Sequence, residues 1–317
     1  MGKIKEYKMK QANLSSVKKK KLFFYFSIII LPLIQFFVFY IIVNANTFVL
    51  ALKNYTYSES GLLISQFVGF KNIGQVFKDF FVEPVFQASM RNSFIAYFVG
   101  LVFGTAVSLL FSYYIFKKRF LFGTFKVLLY LPNIVSVMVL SIMYKFLMDR
   151  GAPVILDKIH PESEAMGLLQ NPDTRFLMVM VFSVLVGFGV NVLLYSGTMS
   201  SISPSVLEAA EVDGVNDFQE FFHIVLPQVY PTLVTFLVAQ LATVFTNQIN
   251  LFNFYGVQAE NDMYTFGYYM YRNIQVNEGD LTQYPYLAAI GLALTIVALP
   301  ITLGIRKLLN KIGPSND

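Results

Sequence analysis

Cysteine and tryptophan are absent from this chain of 317 residues, and only two histidines, His160 and His223, occur. The lack of cysteine excludes disulfides, thiol nucleophiles and cysteine-ligated metals. Charged residues make up only 14% of the sequence, whereas hydrophobic residues make up 56%. Because soluble domains carry about 25% charged residues, these values predict a polytopic membrane protein.

Catalytic and nucleotide-binding motifs are also missing. The only Gly-Lys pair is Gly2-Lys3, and no glycine-rich loop precedes a Lys-Ser or Lys-Thr pair. No phosphate-cradling site is therefore predicted. The sequence contains neither a His-Glu-x-x-His helix nor a nucleophile elbow, and His160 is expected on a loop surface rather than as a ligand. We predict no catalytic residue, no metal site and no cofactor bound by this chain.

Six apolar runs are long enough to cross a bilayer. A secretory signal ending near Val43-Asn44-Ala45 is the alternative for the first run. That run exceeds the roughly 7 to 15 apolar residues of a signal, so a retained helix is favoured. The expectation is an all-α membrane protein with a basic tail (1–21), a six-helix domain (22–310) and a short tail (311–317). The predicted spans are residues 22–43, 92–116, 127–148, 176–195, 229–252 and 286–305.

The positive charges indicate the orientation of these spans. Eight lysines lie in residues 1–21, and four basic residues lie between 117 and 126. With six spans, 15 of the 24 lysines and arginines fall on one side, which the positive-inside rule assigns to the cytoplasm. Both termini are therefore predicted to be cytoplasmic, and the basic tail indicates membrane orientation rather than nucleic-acid binding.

Small residues at four-residue spacing predict close helix packing within two of the spans. On one face of the second span they are Gly100, Gly104, Ser108 and Ser112, and on one face of the fourth they are Ser183, Gly187 and Asn191.

A polar segment, residues 203–227, separates the fourth and fifth spans. Ser203 can cap a helix that begins at Pro204, and Asp213-Gly214 can end it. Asp217 can cap a second helix, with Glu220 at the capping-box position, and Pro227 is expected to stop that helix. The prediction is a short helix, a glycine turn and a second short helix. The alternative is an interfacial hairpin held against lipid by Val206, Leu207 and Val212.

The fifth span contains polar side chains at helical spacing. Such residues avoid lipid, so they should face water or other helices. They could bind the hydroxyl groups of a sugar, or they could hold helices together, and the sequence does not separate these two roles. The stripe consists of Gln240, Thr243, Asn247 and Asn250, and weaker pathway candidates are Asn133, Tyr144 and Asn191.

The polar segment also carries a family resemblance. Glu208-Ala209-Ala210, Gly214 and Ile224-x-Leu226-Pro227 resemble the EAA-x3-G-x9-I-x-LP loop of permease subunits in binding-protein-dependent ABC importers. Stretches flanking the loop are similar to the carbohydrate-uptake branch, of maltose and oligosaccharide type, and the resemblance covers about residues 22–310. His223 stands where a basic residue is common, which puts one charge contact in doubt.

This resemblance implies the type I ABC importer permease fold and a function in a bacterial cytoplasmic membrane. The chain would pass a sugar, with an oligosaccharide as the expected substrate, from an extracellular binding protein or lipoprotein into the cytoplasm. A second homologous permease and two ATP-binding subunits, which hold ATP and Mg, would complete the complex. The residues implied to couple to the ATPase are Glu208, Ala209, Ala210, Asp213, Gly214, Ile224, Leu226 and Pro227. The alternative function is an ion-coupled secondary carrier of polar solutes, although no ionisable residue lies deep in a predicted span.

Overall fold

The structure is a computed structural model that describes residues 2–159 and 166–314, with side chains described from residue 18 onwards except Lys19. His160 lies outside these residues, as do Met1 and residues 315–317 of the predicted tails. The described chain divides into two units. One contains the residues up to Ile73 together with Thr282–Leu292, and the other contains Gly74–Leu281 and the residues from Ala293 onwards.

The first unit begins with a long helix. Helix α1 (Gly2–Phe36) continues through a π-helical segment (Phe37–Ile42) into α2 (Val43–Ala51). Lys20–Ala51 is apolar and long enough to cross a membrane. The helix therefore extends beyond the predicted end at Val43.

A β-hairpin follows, between the first and second predicted spans. Strands β1 (Lys53–Tyr57) and β2 (Leu63–Phe67) pair antiparallel. Alternating aromatic and β-branched residues favour these strands, and Gly61 supplies the positive φ of 78° in the turn. The hairpin is the one exception to the all-α expectation among the described residues.

The described chain after the hairpin is helical, and its first and last helices each contain residues of both units. Two of its long helical stretches each include a π-helical segment, Gly100–Gly104 in one and Phe221–Val225 in the other, and a further π-helical segment, Leu147–Gly151, follows α7. The helices in this part of the chain are α3 (Lys71–Val82), α4 (Pro84–Val99), α5 (Thr105–Phe116), α6 (Phe122–Ile134), α7 (Val137–Phe146), α8 (Ala152–Ile159), α9 (Arg175–Met199), α10 (Pro204–Val212), α11 (Asp217–Glu220), α12 (Leu226–Ala242), α13 (Leu251–Tyr255), α14 (Phe266–Val276) and α15 (Tyr284–Ile312).

Helix α5 packs closely on α9 through small polar residues. The hydroxyl of Ser112 donates hydrogen bonds to the backbone oxygens of Ser108 and Val192, the second at 2.9 Å. Ser108 donates to Gly104 and Phe188 in the same way. These bonds satisfy hydroxyls that would otherwise be buried without a partner. The predicted packing face of the second span is therefore confirmed at its two serines.

The third predicted span, 127–148, is not a single straight helix. Helices α6 and α7 are separated by an extended backbone at Val135 and Ser136, and the segment bends by 99°. Pro132 lies inside α6, where it removes one backbone donor and weakens the helical hydrogen-bond ladder.

The fifth predicted span, 229–252, also departs from a continuous helix. Helix α12 ends at Ala242, and Ile249 and Asn250 adopt positive φ angles. The side chain of Asn247 accepts the backbone N–H of Ile249 at 2.8 Å. Asparagine favours such a local bond, which stabilises the irregular backbone at Ile249 and Asn250 after the helix has ended.

Residues 251–276, most of which lie between the fifth and sixth predicted spans, form a segment packed against α4 and α9. The side chain of Asn92 donates to the backbone oxygens of Asp262 and Tyr264. The guanidinium of Arg175, only 6% exposed, pairs with Glu260 and Asp262 at 2.8 Å each. Hydrogen bonding and charge from Arg175 hold the pKa of Glu260 below its ordinary value.

The number of candidate membrane spans follows from these helices. Within residues 2–159 and 166–314, five helices are long and apolar enough to cross a membrane, or six if the bent pair around Val135 is one span. This result confirms the prediction of a polytopic α-helical membrane protein. The five are Lys20–Ala51, Pro84–Phe116, Arg175–Met199, Asp217–Ala242 and Tyr284–Ile312.

Candidate functional site

The polar segment folds as a short helix and a glycine turn, as predicted, followed by a second helix that is not short but continues to Ala242. Gly214 has a φ of 74° and directly follows the C-cap, Asp213. The N–H of Val215 bonds to the oxygen of Ala210, and that of Gly214 bonds to the oxygen of Glu211. This pair of bonds is a Schellman motif, which glycine favours because it tolerates a left-handed backbone.

Helix α10 presents a mixed acidic and apolar surface. Glu208 and Ala209 are exposed, whereas Ala210 is buried against the rest of the unit. Val212 is 86% exposed, and Phe218 of α11 is 73% exposed. These two exposed apolar side chains, on either side of the turn at Gly214, are available for contact with another protein or with lipid.

The capping groups differ from the prediction by small shifts. Asn216, not Asp217, caps α11, and it forms a capping box with Gln219 rather than with Glu220. Asn is as good a cap as Asp, and the two are adjacent, so the sequence could not separate them. Ser203 occupies the N-cap position of α10 but makes no capping bond, and its hydroxyl lies 2.8 Å from that of Ser205.

Pro227 was expected to stop the second helix, and this prediction is wrong. The chain is helical from Asp217 to Ala242, and Pro227 lies in the first turn of α12. The π-helical segment Phe221–Val225, which contains Ile224, comes directly before Leu226. A π-helical segment shifts the backbone hydrogen-bond pattern, and the first turn of a helix accepts proline, so the missing N–H is accommodated.

Two basic residues at the end of α5 pair with the start of α11. The Nζ of Lys117 lies 2.9 Å from Oε2 of Glu220, which is 6% exposed. Arg119 pairs with Asp217. No signal in the sequence predicts these contacts, because the partners lie about a hundred residues apart. These ion pairs bring the residues that follow α5 next to α11.

A cavity of about 290 Å³ lies between three elements of the second unit. Four of the predicted pathway residues line it, namely Asn191, Gln240, Thr243 and Asn247. Gln240, Thr243 and Asn247 were predicted to share one face of a continuous helix. The helix ends at Ala242, so that reason is wrong. The three residues nevertheless line the same cavity.

Several lining residues were not predicted as pathway residues. Ser183 and Gly187 share the face of α9 that carries Asn191, and they were expected only to pack helices. Tyr97 and Gly100 line the wall formed by α4 and the π-helical segment after it. The four-residue spacing of the small residues was the only sequence signal for this role. Small side chains leave space that can be filled by a neighbouring helix or can remain as a cavity.

Three predicted pathway residues lie away from this cavity. Asn133 is exposed and lies against Gly189 of α9. Helix α6 approaches α9 so closely there that a Cβ on residue 189 would overlap the backbone oxygen of Leu129. The hydroxyl of Tyr144 donates to the backbone oxygen of Met178 at 3.1 Å. These two side chains serve packing between helices.

Asn250, the third, has a left-handed backbone at the start of α13. Its amide donates to the hydroxyl of Ser183 at 3.1 Å, and its oxygen accepts from Asn253. It therefore holds the turn after α12 to α9 rather than lining the cavity.

Known proteins with similar sequences and folds agree with this architecture. The sn-glycerol-3-phosphate transport system permease protein UgpA of Yersinia pestis is 28% identical over 183 residues, 58% of this chain and 61% of that protein. The chain thus spans about three fifths of the length of this relative.

Among solved structures, a bacterial ABC transporter involved in the import of the acidic polysaccharide alginate matches 92% of this chain and 97% of its own. The TM-score is 0.72 at 19% identity. A structure of a bacterial alginate ABC transporter in complex with an alginate pentasaccharide-bound periplasmic protein matches 94% of this chain and 99% of its own, with the same TM-score. At this identity the likeness shows the fold alone, which is the importer permease fold that the sequence predicted.

The sequence pattern of one protein family matches residues 96–312, which include most of the cavity, the polar segment and α12. That range covers more than half of the chain and contains the motif from Glu208 to Pro227. The chain therefore belongs to the family of binding-protein-dependent transport system inner membrane components.

Proposed function

We propose that this chain is the membrane permease subunit of an ATP-driven importer that passes a sugar from an extracellular binding protein into the cytoplasm. The observation that carries the proposal is the exposed segment around Glu208 and Val212, which has the motif of the family and a surface suited to a partner protein. The relatives named above are permeases and importers, which supports the same class of function here.

The proposed complex contains a second homologous permease, two ATP-binding subunits and a binding protein or lipoprotein on the outer face. ATP and Mg would be held by the ATP-binding subunits, since this sequence has no phosphate-binding loop. In this arrangement α10 inserts into a groove of an ATP-binding subunit. The small side chain of Ala209 lets the helix approach closely, and Glu208 supplies a polar contact. Asp213, Gly214, Ile224, Leu226 and Pro227 shape the segment behind it.

The proposed orientation places the polar segment and both termini in the cytoplasm of a bacterial cell. Lys117 and Arg119 belong to the basic loop that the positive-inside rule assigns to the cytoplasm. Because they pair with Glu220 and Asp217, the acidic segment lies on the same side as that loop. Span counting supports the same side, although the segment itself carries no lysine or arginine.

The mechanism we propose is alternating access. ATP binding closes the two ATP-binding subunits, moves α10 and turns the helices around the cavity towards the outside. The binding protein then delivers its ligand, and hydrolysis returns the cavity to the cytoplasmic side. Binding energy that differs between the two states drives the change.

The cavity supports a neutral, hydroxyl-rich substrate. Among the described residues that line it, none is Lys, Arg, Asp, Glu or His. Amides of Asn191, Gln240 and Asn247 and the hydroxyl of Ser183 can donate and accept hydrogen bonds with sugar hydroxyls. An anionic substrate would lack a cation here. We therefore propose a neutral oligosaccharide as the substrate of this chain, unlike the anionic substrates in the names of the relatives above.

Uptake by the complete complex in liposomes tests this function. Labelled neutral and acidic oligosaccharides are supplied with the binding protein, with and without ATP inside. We expect uptake of the neutral sugar only with ATP. Glu208→Ala should lower it strongly, whereas Glu211→Ala, which removes an exposed acid from the same helix outside the motif, should not. ATP-independent uptake would contradict the importer, and a preference for the acidic sugar would contradict the substrate class.

A further inference from the structure

The ion pair between Lys117 and Glu220 joins two helices at one end. Lys117 follows the helical stretch Pro84–Phe116, and Glu220 lies near the start of the stretch Asp217–Ala242. The ammonium contacts both carboxylate oxygens, at 3.1 and 2.9 Å. Glu220 is buried, so water weakens this pair less than it would an exposed one.

Tyr113 completes the arrangement. Its hydroxyl donates to Oε1 of Glu220 at 3.2 Å and to the backbone oxygen of Asp217 at 3.0 Å. Its ring also packs edge-on against Phe221, with centroids 5.0 Å apart. We call the side chains of Tyr113, Lys117 and Glu220 the bracket. The Arg119 pair with Asp217 lies beside it, but both of its side chains are about half exposed.

The same two helical stretches border the cavity further along their lengths. Tyr97 and Gly100 belong to the stretch Pro84–Phe116, and Gln240 belongs to the stretch Asp217–Ala242. Helix α10 joins the second stretch through the short turn at Gly214. The bracket is therefore located between the exposed segment and two walls of the cavity.

An ion pair that is partly removed from water is a poor way to gain stability alone, and here Glu220 is buried whereas the side chain of Lys117 is 29% exposed. Removing charges from water costs free energy, and well-packed apolar side chains often hold a protein as firmly. The neighbouring apolar cluster, which includes Tyr195, Val225 and Val229, already packs α9 on α12. The charged hydrogen bonds fix the position of one helix end relative to the other, because each bond restricts both a distance and a direction.

We propose that the bracket is a positioning device that makes the helix Pro84–Phe116 move together with α10 and the helix Asp217–Ala242. A displacement of α10 then reaches two cavity walls rather than one. The proposal rests on the proposed function, since it concerns how motion of the ATP-binding subunits reaches the cavity. Lys117, Glu220 and Tyr113 are positioning residues and touch neither substrate nor nucleotide.

Charge reversal in the complete complex tests the proposal. The measured quantity is the number of sugar molecules imported per ATP hydrolysed in liposomes. Lys117→Glu and Glu220→Lys, each alone, should lower this ratio about tenfold, within the roughly 5- to 150-fold range of coupling between sites. The two together should restore part of it, because Lys117 also lies 3.6 Å from Asp217, which the exchanged glutamate would repel. Lys126→Glu makes the same charge change at an exposed site in α6 and should leave the ratio unchanged.

An unchanged ratio in both single variants, or a double variant no better than either single one, would overturn the bracket. A merely structural role would lower the amount of assembled complex without changing import per ATP in the complex that forms. ATP-independent uptake by the unaltered chain contradicts the proposed function and the bracket together. ATP-driven uptake that ignores both charge reversals contradicts the bracket alone.

The absence of cysteine offers a second test that does not depend on buried charges. Lys117→Cys combined with Glu220→Cys removes the ion pair, and a short thiol-reactive crosslinker then joins the two helix ends. We expect import per ATP to be low before crosslinking and restored by it, because the helices need to move together. Crosslinking that blocks import further would show that these ends separate during the cycle and would overturn the proposal.

Discussion

The side-chain amide of Asn92 donates a hydrogen bond of 3.0 Å to the backbone oxygen of Tyr264, 172 residues further along the chain. A second bond, of 2.6 Å, reaches the oxygen of Asp262. Asn92 is buried, so a substitution leaves two backbone acceptors without their donor. This single side chain ties α4 to the segment that follows α13.

Asn92→Leu should therefore lower the free energy of unfolding by about 2–4 kcal/mol, since each unsatisfied buried group costs about 1–3 kcal/mol. Thermal unfolding of the purified chain in detergent measures the loss. Asn273→Leu is the matched control, because the amide of Asn273 bonds to Tyr269, one turn away on the same helix. A loss in the control as large as that in Asn92→Leu would contradict this reason.

Glu260 predicts a pH dependence of stability. Its pKa is lowered by the hydrogen bond from Arg175, so the ionised carboxylate is favoured more in the folded than in the unfolded chain. This stabilisation is fully present above the ordinary glutamate pKa of about 4.3 and is lost as the pH falls through the lower, folded value.

Below about pH 4.3, the midpoint of thermal unfolding should thus fall more steeply in the unaltered protein than in Glu260→Gln. Glu278→Gln removes a charge from another exposed position and serves as the control. In an Arg175→Met background, the Glu260→Gln substitution should no longer change the pH dependence. A change that persists in that background would assign the effect to another partner.

The close packing around Gly267 should make a larger side chain at this position destabilising. A Cβ at this position, near the start of α14, would overlap the backbone oxygen of Thr246. Gly267→Ala should lower stability by about 1–3 kcal/mol, the usual cost of overpacking. Gly74→Ala has open space around the new methyl group and lies inside α3, where alanine is favoured by about 0.5–1 kcal/mol. Equal effects of the two substitutions on the thermal midpoint would show that backbone crowding at Gly267 is not the cause.

Gln240 predicts a change in transport rather than in stability. It lines the cavity, so Gln240→Leu removes one amide that can bond to a sugar. We expect the KM for uptake to rise about 5- to 150-fold, since leaving a buried hydrogen-bonding group without its partner costs about 1–3 kcal/mol. Gln258→Leu changes an exposed glutamine elsewhere and is the control. An unchanged KM with Gln240→Leu would remove this residue from the pathway.

Local signals in the sequence were sufficient where a structure depends on neighbouring residues. The turn at Gly214 was predictable because a left-handed residue after a helix favours glycine. The packing of Ser108 and Ser112 was predictable from their spacing. The helix cap was displaced by one residue, since Asn216 and Asp217 are both suitable caps and only the fold selects between them.

Other features depend on contacts that the sequence does not record. Lys117 and Glu220 were interpreted separately, as a loop charge and a capping residue, and only the fold pairs them. The polar stripe of the fifth span misled for a different reason. Asn247 has the side chain that suits a cavity, but it lies beyond the end of α12, where the same side chain bonds to the backbone of Ile249 in a non-helical turn.

The bonds from Asn92 to Asp262 and Tyr264 have a consequence for biosynthesis. A ribosome that adds about 5–20 residues per second needs roughly 10 to 35 s to reach these partners after it has made α4. The hydroxyl of Ser93, which accepts a hydrogen bond from the N–H of Phe266 173 residues away, lacks this partner for a similar time. During that interval the newly inserted second helix holds amide and hydroxyl groups without their final partners. These contacts of α4 therefore form only after Phe266 has been synthesised.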